Sequence, residues 1–335
     1  MTLIKSLELK GFLSFSPSSE PIELSALNVV IGPNGAGKSN LLEAIELLHA
    51  APTEFARAIR DGGAASEWLW KGAGANGVAS IEAVLSHPEQ SHRQERDVRY
   101  GLKFTSINDR TEVLDEYLED AHKRKPDKPD VLFYYRYREG HPVINVSQGQ
   151  NGNYKERGLE RDQLKPDESV FSQRKDPDHY PEITGVANAF ERIALFREWH
   201  FGRYSSVRKP QATAGRTDRM EDDASNLALL INQLEHTDVW PGFNDLLAQF
   251  LPRFARLSTK LTATGSIQLF LHEQGLSSPV SATRLSDGTI RFISLLALLF
   301  APFPPPLLCI EEPELGLHPD AVSLLAPVLV DASQR

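Results

Sequence analysis

The order of apolar and polar positions divides the chain into stretches of different period. Residues 3–9 (LIKSLEL) alternate, the mark of a half-buried strand, and residues 22–24 are expected to pair back onto it. Residues 27–31 (LNVVI) are a short apolar run that predicts a buried strand, and a helical pattern (NLLEAIELL) then runs to Leu48. Pro52 at a first helical position predicts a second, short helix to Arg60. The Gly- and Ala-rich residues 61–77 read as an exposed loop anchored by Trp68 and Trp70. From 78 to 146 the period is mostly two, as in VASIEAVLS, RYGLKFTSI and VLFYYRYRE, which predicts an antiparallel meander. The polar run 119–130 (EDAHKRKPDKPD) reads as a solvated loop rather than a nucleic-acid contact, because acidic residues are interleaved.

Residues 148–153 (QGQNGN) read as a turn, and 155–182 show no clear period. Helical spacing resumes over 186–199, 226–236 and 243–257, with Asp223 or Ser225 as a candidate cap for the second of these. Residues 266–272 read as a strand, 290–300 (IRFISLLALLF) as an apolar helix, 306–310 as a short strand and 319–332 as a last helix.

Composition narrows the setting. Of 335 residues, 36 are Lys or Arg and 45 Asp or Glu, a net charge of −9, so no global positive field draws the chain to nucleic acid or an anionic membrane. Cys309 is the single cysteine, which excludes an intrachain disulfide and predicts a cytoplasmic protein. No signal peptide is evident, and the longest apolar run, 292–303, is too short to span a bilayer. The best local basic patch lies between the first two helical stretches of the middle region and holds Arg203, Arg208, Lys209, Arg216 and Arg219 with one acid, Asp218. It reads either as a solvated loop or as a contact for DNA or a partner.

Three blocks carry chemistry. Residues 32–39 (GPNGAGKS) match the phosphate-binding loop G-x-x-x-x-G-K-[S/T], placed after an apolar run and before a helix, as that motif requires. The helix start would leave N–H groups of Asn34, Gly35, Ala36, Gly37, Lys38, Ser39 and Asn40 free for an anion. Lys38 would reach the β- and γ-phosphates and the Ser39 hydroxyl would hold Mg²⁺. The second block, 285–289 (LSDGT), opens the apolar helix and is either a second anion cradle or a simple helix cap. The third is a short apolar strand that ends in Glu311 and Glu312. Two such carboxylates suit Mg²⁺ and an attacking water beside a triphosphate, and strand alternation gives them different jobs.

These blocks in this order, with LKGFLSF at the start and EEPELGLHP near the end, resemble the RecF/SMC/OLD group of ABC-type ATPases, specifically bacterial members without long coiled-coil arms. The resemblance implies an α/β P-loop ABC-type ATPase head with an antiparallel β subdomain and a helical lobe. Its nucleotide core would be 1–60 and 280–335, its β subdomain 78–146 and its lobe 155–260. It implies a homodimer with composite sites, in which Ser286 and Gly288 meet the γ-phosphate of the ATP held by the opposite subunit. Glu311 stands at the Mg²⁺-organising position, Glu312 at the position that orients the water, and Gln173 is the candidate Mg²⁺-sensing glutamine. Asp287 and Thr289 depart from the Gly and Gln of transporter-type heads and argue against a transporter. No later strand or switch histidine follows before Arg335, so either the chain is a piece of a longer protein or it hydrolyses ATP poorly. The implied function is ATP hydrolysis that clamps or signals on DNA in repair or phage defence, away from the membrane. The alternative is a nucleotide-gated scaffold that holds or releases an effector, such as a nuclease or toxin.

Overall fold

Alternating burial along Ile4–Lys10 makes this segment, β1, a half-buried strand whose Ile4, Leu7 and Leu9 face the core. The computed structural model describes residues 2–334 apart from 73–76, 87–95, 123–130, 139–140, 149–153, 161–162, 198 and 263–264. The chain divides into two compact units, Met1–Ile193 and Ala194–Arg335.

In the first unit β1 pairs with β2 (Ile22–Glu23) on one side and β3 (Ala79–Leu85) on the other. The meander continues through β4 (Val98–Ile107), β5 (Arg110–Asp120), β6 (Phe133–Arg138), β7 (His141–Ser147) and β8 (Tyr154–Gly158). The sheet runs β2-β1-β3-β4-β5-β6-β7-β8 with every neighbour antiparallel. The turn from β4 to β5 is Asn108–Asp109, both at positive φ (52° and 58°), the conformation a two-residue hairpin needs to match strand twist. Helices α1 (Lys38–Ala50), α2 (Phe55–Asp61), α3 (Val170–Gln173) and α4 (Pro181–Glu191) complete the unit. Its core is aromatic: Phe12, Phe55 and Phe104 meet edge to face, as do Tyr100, Phe171 and Phe190 in part. Trp68 is the anchor expected in the loop after α2, its indole N–H donating to the Ile59 carbonyl at 2.9 Å.

At the centre of this sheet lies a buried carboxylate. Glu116 accepts from the Tyr100 hydroxyl (2.9 Å), the Ser169 hydroxyl (2.5 Å) and the Val170 N–H (2.9 Å). Burial raises its pKa from the ordinary carboxylate range to about 7, against the opposing pull of these donors.

The second unit begins with β9 (Ala194–Phe196), followed by β10 (Gln211–Ala212), α5 (Leu227–Leu234), α6 (Trp240–Phe250), β11 (Phe254–Leu261), β12 (Ser266–Glu273) and β13 (Val280–Ser281). It ends with α7 (Asp287–Leu299), β14 (Leu308–Ile310) and α8 (Pro319–Gln334). One sheet runs β10-β12-β11 with β13 also on β12, all antiparallel, and β9 pairs with β14 in parallel. Helix α7 is buried from Thr289 to Leu299. A helix apolar on all sides belongs in a core, and each of its fully buried Phe, Ile and Leu side chains contributes about 1.5–3 kcal/mol.

Several expected boundaries shift. The helix expected at 186–199 is α4, which stops at Glu191 and gives way to β9. The one expected at 243–257 ends at Phe250, ahead of Pro252, whose ring restricts the residue before it, and β11 follows. The stretch 155–260 is therefore mixed helix and strand. Most of the polar run 119–130 and of the turn 148–153 lies outside the described residues.

Candidate nucleotide site

The phosphate loop has the local geometry its motif demands. Gly35 and Gly37 sit at φ 79° and 89°, and Gly37, left-handed, is the N-cap of α1. A Cβ at Gly37 would come within 2.6 Å of the Ser14 hydroxyl oxygen, and its left-handed φ favours glycine in any case. Asn40 Nδ2 donates to the same Ser14 oxygen at 2.8 Å. The Lys38 ammonium folds over the loop and donates to the carbonyls of Gly32 (2.8 Å) and Pro33 (3.0 Å). No acid occupies the first turn of α1, which leaves the positive end of its dipole uncompensated for an anion. Ser14 was not singled out from the sequence, although it lies within LKGFLSF.

The strand expected before this loop is not formed. Residues 27–31 pair with no strand among the described residues, and Val29 and Ile31 are 77% and 85% exposed. The sheet of the first unit ends at β2, so hydrophobicity marks these residues for cover without supplying a ladder partner. Asn28 instead closes a local turn with Ser25, accepting from its N–H at 2.9 Å and donating to its carbonyl at 2.8 Å.

The other two blocks lie together in the second unit. Ser286 caps α7, its oxygen accepting from the Thr289 N–H at 3.1 Å. Gly288 is required by a close approach, since a Cβ there would stand 2.9 Å from the Gly316 carbonyl oxygen. β14 delivers Glu311 and Glu312 at its end, and the Glu311 N–H continues the ladder to the Phe196 carbonyl at 2.9 Å. Glu312 adopts φ 47°, an uncommon left-handed conformation for a side-chain-bearing residue. Cys309 lies just before them on β14, and burial pushes its thiol up to about 12.

Three arginines bind this block together. Arg197 pairs with Glu311 at 3.2 Å. Arg291, inside α7, donates to the Glu312 carbonyl at 3.1 Å and to that of Trp199 at 3.4 Å. Arg208 corrects the expected basic patch: it is 3% exposed and donates to the carbonyls of Phe201 (2.8 Å), Ala282 (3.2 Å) and Leu285 (2.5 Å) and to the Asp287 carboxylate. A solvent-facing DNA contact is closed to it, and the Asp in LSDGT gains a reason as its partner. Arg203, Lys209 and Arg216 stay exposed, and Arg216 pairs with Asp218 at 2.8 Å. The sequence held one signal for this scaffold, the arginine in the otherwise apolar helix IRFISLLALLF, since a charge there must find partners.

Gln173 closes its own turn: its side-chain oxygen accepts from the Lys165 N–H at 2.7 Å, and its amide donates to the Glu168 carbonyl at 3.1 Å. For Mg²⁺, no group of three or more His, Cys, Asp or Glu among the described residues forms a cage. Mg²⁺ takes oxygen ligands, and the Ser39 hydroxyl in the first unit and the Glu311 carboxylate in the second are each a ligand of that kind. No helix among the described residues is long and apolar enough to cross a membrane.

Comparison with known proteins bears on the family and the fold. Residues 27–335 match the family described as "AAA domain, putative AbiEii toxin, Type IV TA system". The chromosome partition protein Smc of Coxiella burnetii is 31% identical over 138 residues, 38% of this chain and 11% of that protein. The Clostridium kluyveri Smc is 43% identical over 42 residues, 12% of this chain and 4% of its own length. The chain thus spans about a tenth or less of the length of these relatives. Among solved structures, an Smc head bound to the C-terminal winged-helix domain of ScpA superposes with a TM-score of 0.55 at 16% identity, covering 99% of this chain and 87% of that one. An Smc head with an extended coiled coil, bound to the C-terminal domain of ScpA derived from Pyrococcus furiosus, gives 0.54 at 14% identity, covering 100% and 88%. At those identities the likeness speaks for the fold, the α/β head. With the family match across 27–335, the chain belongs to this AAA-domain family, and its fold is the one those Smc heads share.

Proposed function

We propose that the chain binds Mg²⁺-ATP at the Gly32–Ser39 loop, dimerises around two ATP and hydrolyses them, acting on DNA in repair or phage defence. The observation that carries the reading is the formed phosphate loop, with Lys38 folded over it and Gly37 capping α1. Lys38 neutralises the β- and γ-phosphates, and the free N–H groups of the α1 start hold them. Ser286 and Gly288 meet the nucleotide of the opposite copy, and Glu312 orients the attacking water. Mg²⁺, held by Ser39 and Glu311, would neutralise charge that develops on the transferred group. Arg203, Lys209 and Arg216 are the exposed cations left for DNA.

The second reading, a nucleotide-gated scaffold that turns over little and holds or releases an effector such as a toxin or nuclease, draws on one observation. Arg197 occupies an oxygen of Glu311, the acid meant for Mg²⁺.

Complementation tests the composite site. Lys38→Ala and Ser286→Arg are each expected to be inactive as homodimers, while random mixing restores up to about a quarter of the parental sites, because half the dimers are mixed and each keeps one intact site. Mixed dimers confirmed by mass that remain inactive would show that each site is complete within one chain.

A further inference from the structure

Arg291 is an unusual resident of α7. It lies one and a half turns inside the helix that Ser286 caps, among Ile290, Phe292 and Ile293, and is 9% exposed. Among the described residues no carboxylate pairs with it within 4 Å; its guanidinium is directed at two backbone carbonyls and lies 5.2 Å from the centre of the Phe201 ring. A buried guanidinium is costly to desolvate, and packing alone would be served by an apolar side chain. The charge is answered by the carbonyls it holds and, at longer range, by the carboxylates of Glu312, Glu314 and Asp287.

One of those carbonyls belongs to Glu312. It also accepts from the Leu315 N–H at 3.1 Å, and the residue it terminates sits at φ 47°. A left-handed conformation costs a side-chain-bearing residue about 1–2 kcal/mol and persists where the surroundings hold it. The direction of the Glu312 carboxylate follows from that backbone setting. Three residues before Arg291 in the same helix, Gly288 closes onto the Gly316 carbonyl, on the loop that begins at Glu312. A single buried rod thus carries the signature turn and grips the acid at the end of β14.

We infer that Arg291 is the positioning residue that couples the Ser286–Gly288 turn to Glu312, so that engagement of the turn sets the aim of the acid that orients the water. This rests on the proposed role of Glu312. Its role is positioning, exerted through the Glu312 carbonyl. One chain's signature turn, bound to the opposite copy's nucleotide, thereby adjusts the acid of its own site.

The test uses Arg291→Met and Arg291→Lys in the full chain. Lysine keeps the charge and can rest on Phe201, but as a single-point donor it does not reproduce a planar fork across two carbonyls. Both variants are expected to lower kcat by about tenfold, with KM, fluorescent-nucleotide affinity and the ATP-dependent mass shift in light scattering within about twofold of the parent. In a Glu312→Gln background, Arg291→Lys should lower hydrolysis no further, the mark of two residues acting as a unit. Should Arg291→Met fail to fold, Arg291→Lys decides. A parental kcat in the lysine variant, or nucleotide affinity and dimerisation falling together with kcat, overturns the coupling role. If Glu312→Gln hydrolyses at the parental rate, the assignment of Glu312 fails instead, and that result is separate from any effect of Arg291.

Discussion

The phosphate loop and the Ser286–Glu312 block are built by opposite means. The loop is shaped locally: Gly35 and Gly37 supply its turns, Lys38 ties it to its own first residues, and the apolar run that leads into it stays exposed. The block in the second unit is shaped by tertiary contacts, with Arg208 reaching buried carbonyls 74 and 77 residues away and Arg291 the Glu312 carbonyl 21 residues away. A motif whose geometry is encoded within eight residues keeps its form with little support. One assembled from segments 21 to 77 residues apart depends on the fold around it, and a single buried cation can be its keystone.

That contrast can be broken most directly at Arg208. Arg208→Met leaves three buried carbonyls without their donor and Asp287 without its cation, and should destabilise the second unit by about 3–5 kcal/mol. Chemical denaturation followed by Trp199 and Trp240 fluorescence measures it; a loss under about 1 kcal/mol would mean that the block holds itself together.

The first unit does bury a titratable group, the Glu116 carboxyl, away from its phosphate loop, which gives the comparison a control. A folded-state pKa raised from 4.5 to about 7 favours the protonated form. Its stabilising contribution is therefore complete below the unfolded pKa and declines as pH rises from about 4.5 through about 7, by roughly 3 kcal/mol in total. Glu116→Gln should flatten that slope in urea titrations run across this range. An unchanged slope would place the titration elsewhere.

Lys38→Ala should cost about a hundredfold in Mg²⁺-ATP affinity by calorimetry, near 3 kcal/mol, with the unfolding midpoint unmoved, because a locally built loop does not hold the unit together. Equal affinity in the variant would remove the loop from nucleotide binding. Smallest of all, Ile31→Thr should change the stability of the isolated chain by no more than about 0.5 kcal/mol, as befits an exposed side chain. A larger loss in thermal unfolding would show that residues 27–31 are covered after all.

How much of this was legible in the sequence follows the same division. The phosphate loop, the buried helix α7, the strand β14 and the meander were all readable, since glycine spacing and hydrophobic period are local signals. Residues 27–31 misled because an apolar run reports a need for cover and says nothing of which strand supplies it. Arg208 misled for the converse reason. Its neighbours, in SSVRKPQ, look like surface, and the acceptors that bury it come from residues 282–287. The boundaries near Glu191 and Phe250 moved because short strands with tertiary partners took over the ends of the helical patterns.

Cys309 turns this architecture into its own reporter. It is the single thiol of the chain, lies on the three-residue strand that delivers Glu311 and Glu312, and is protonated at any ordinary assay pH because burial pushes it up to about 12. A thiol reagent can therefore react only when β14 parts from its surroundings and the sulfur meets water. The native chain thus carries a one-atom clock for the opening of the strand beneath its acidic pair. Its labelling rate, read with and without nucleotide, counts how often that strand lets go without the addition of any probe.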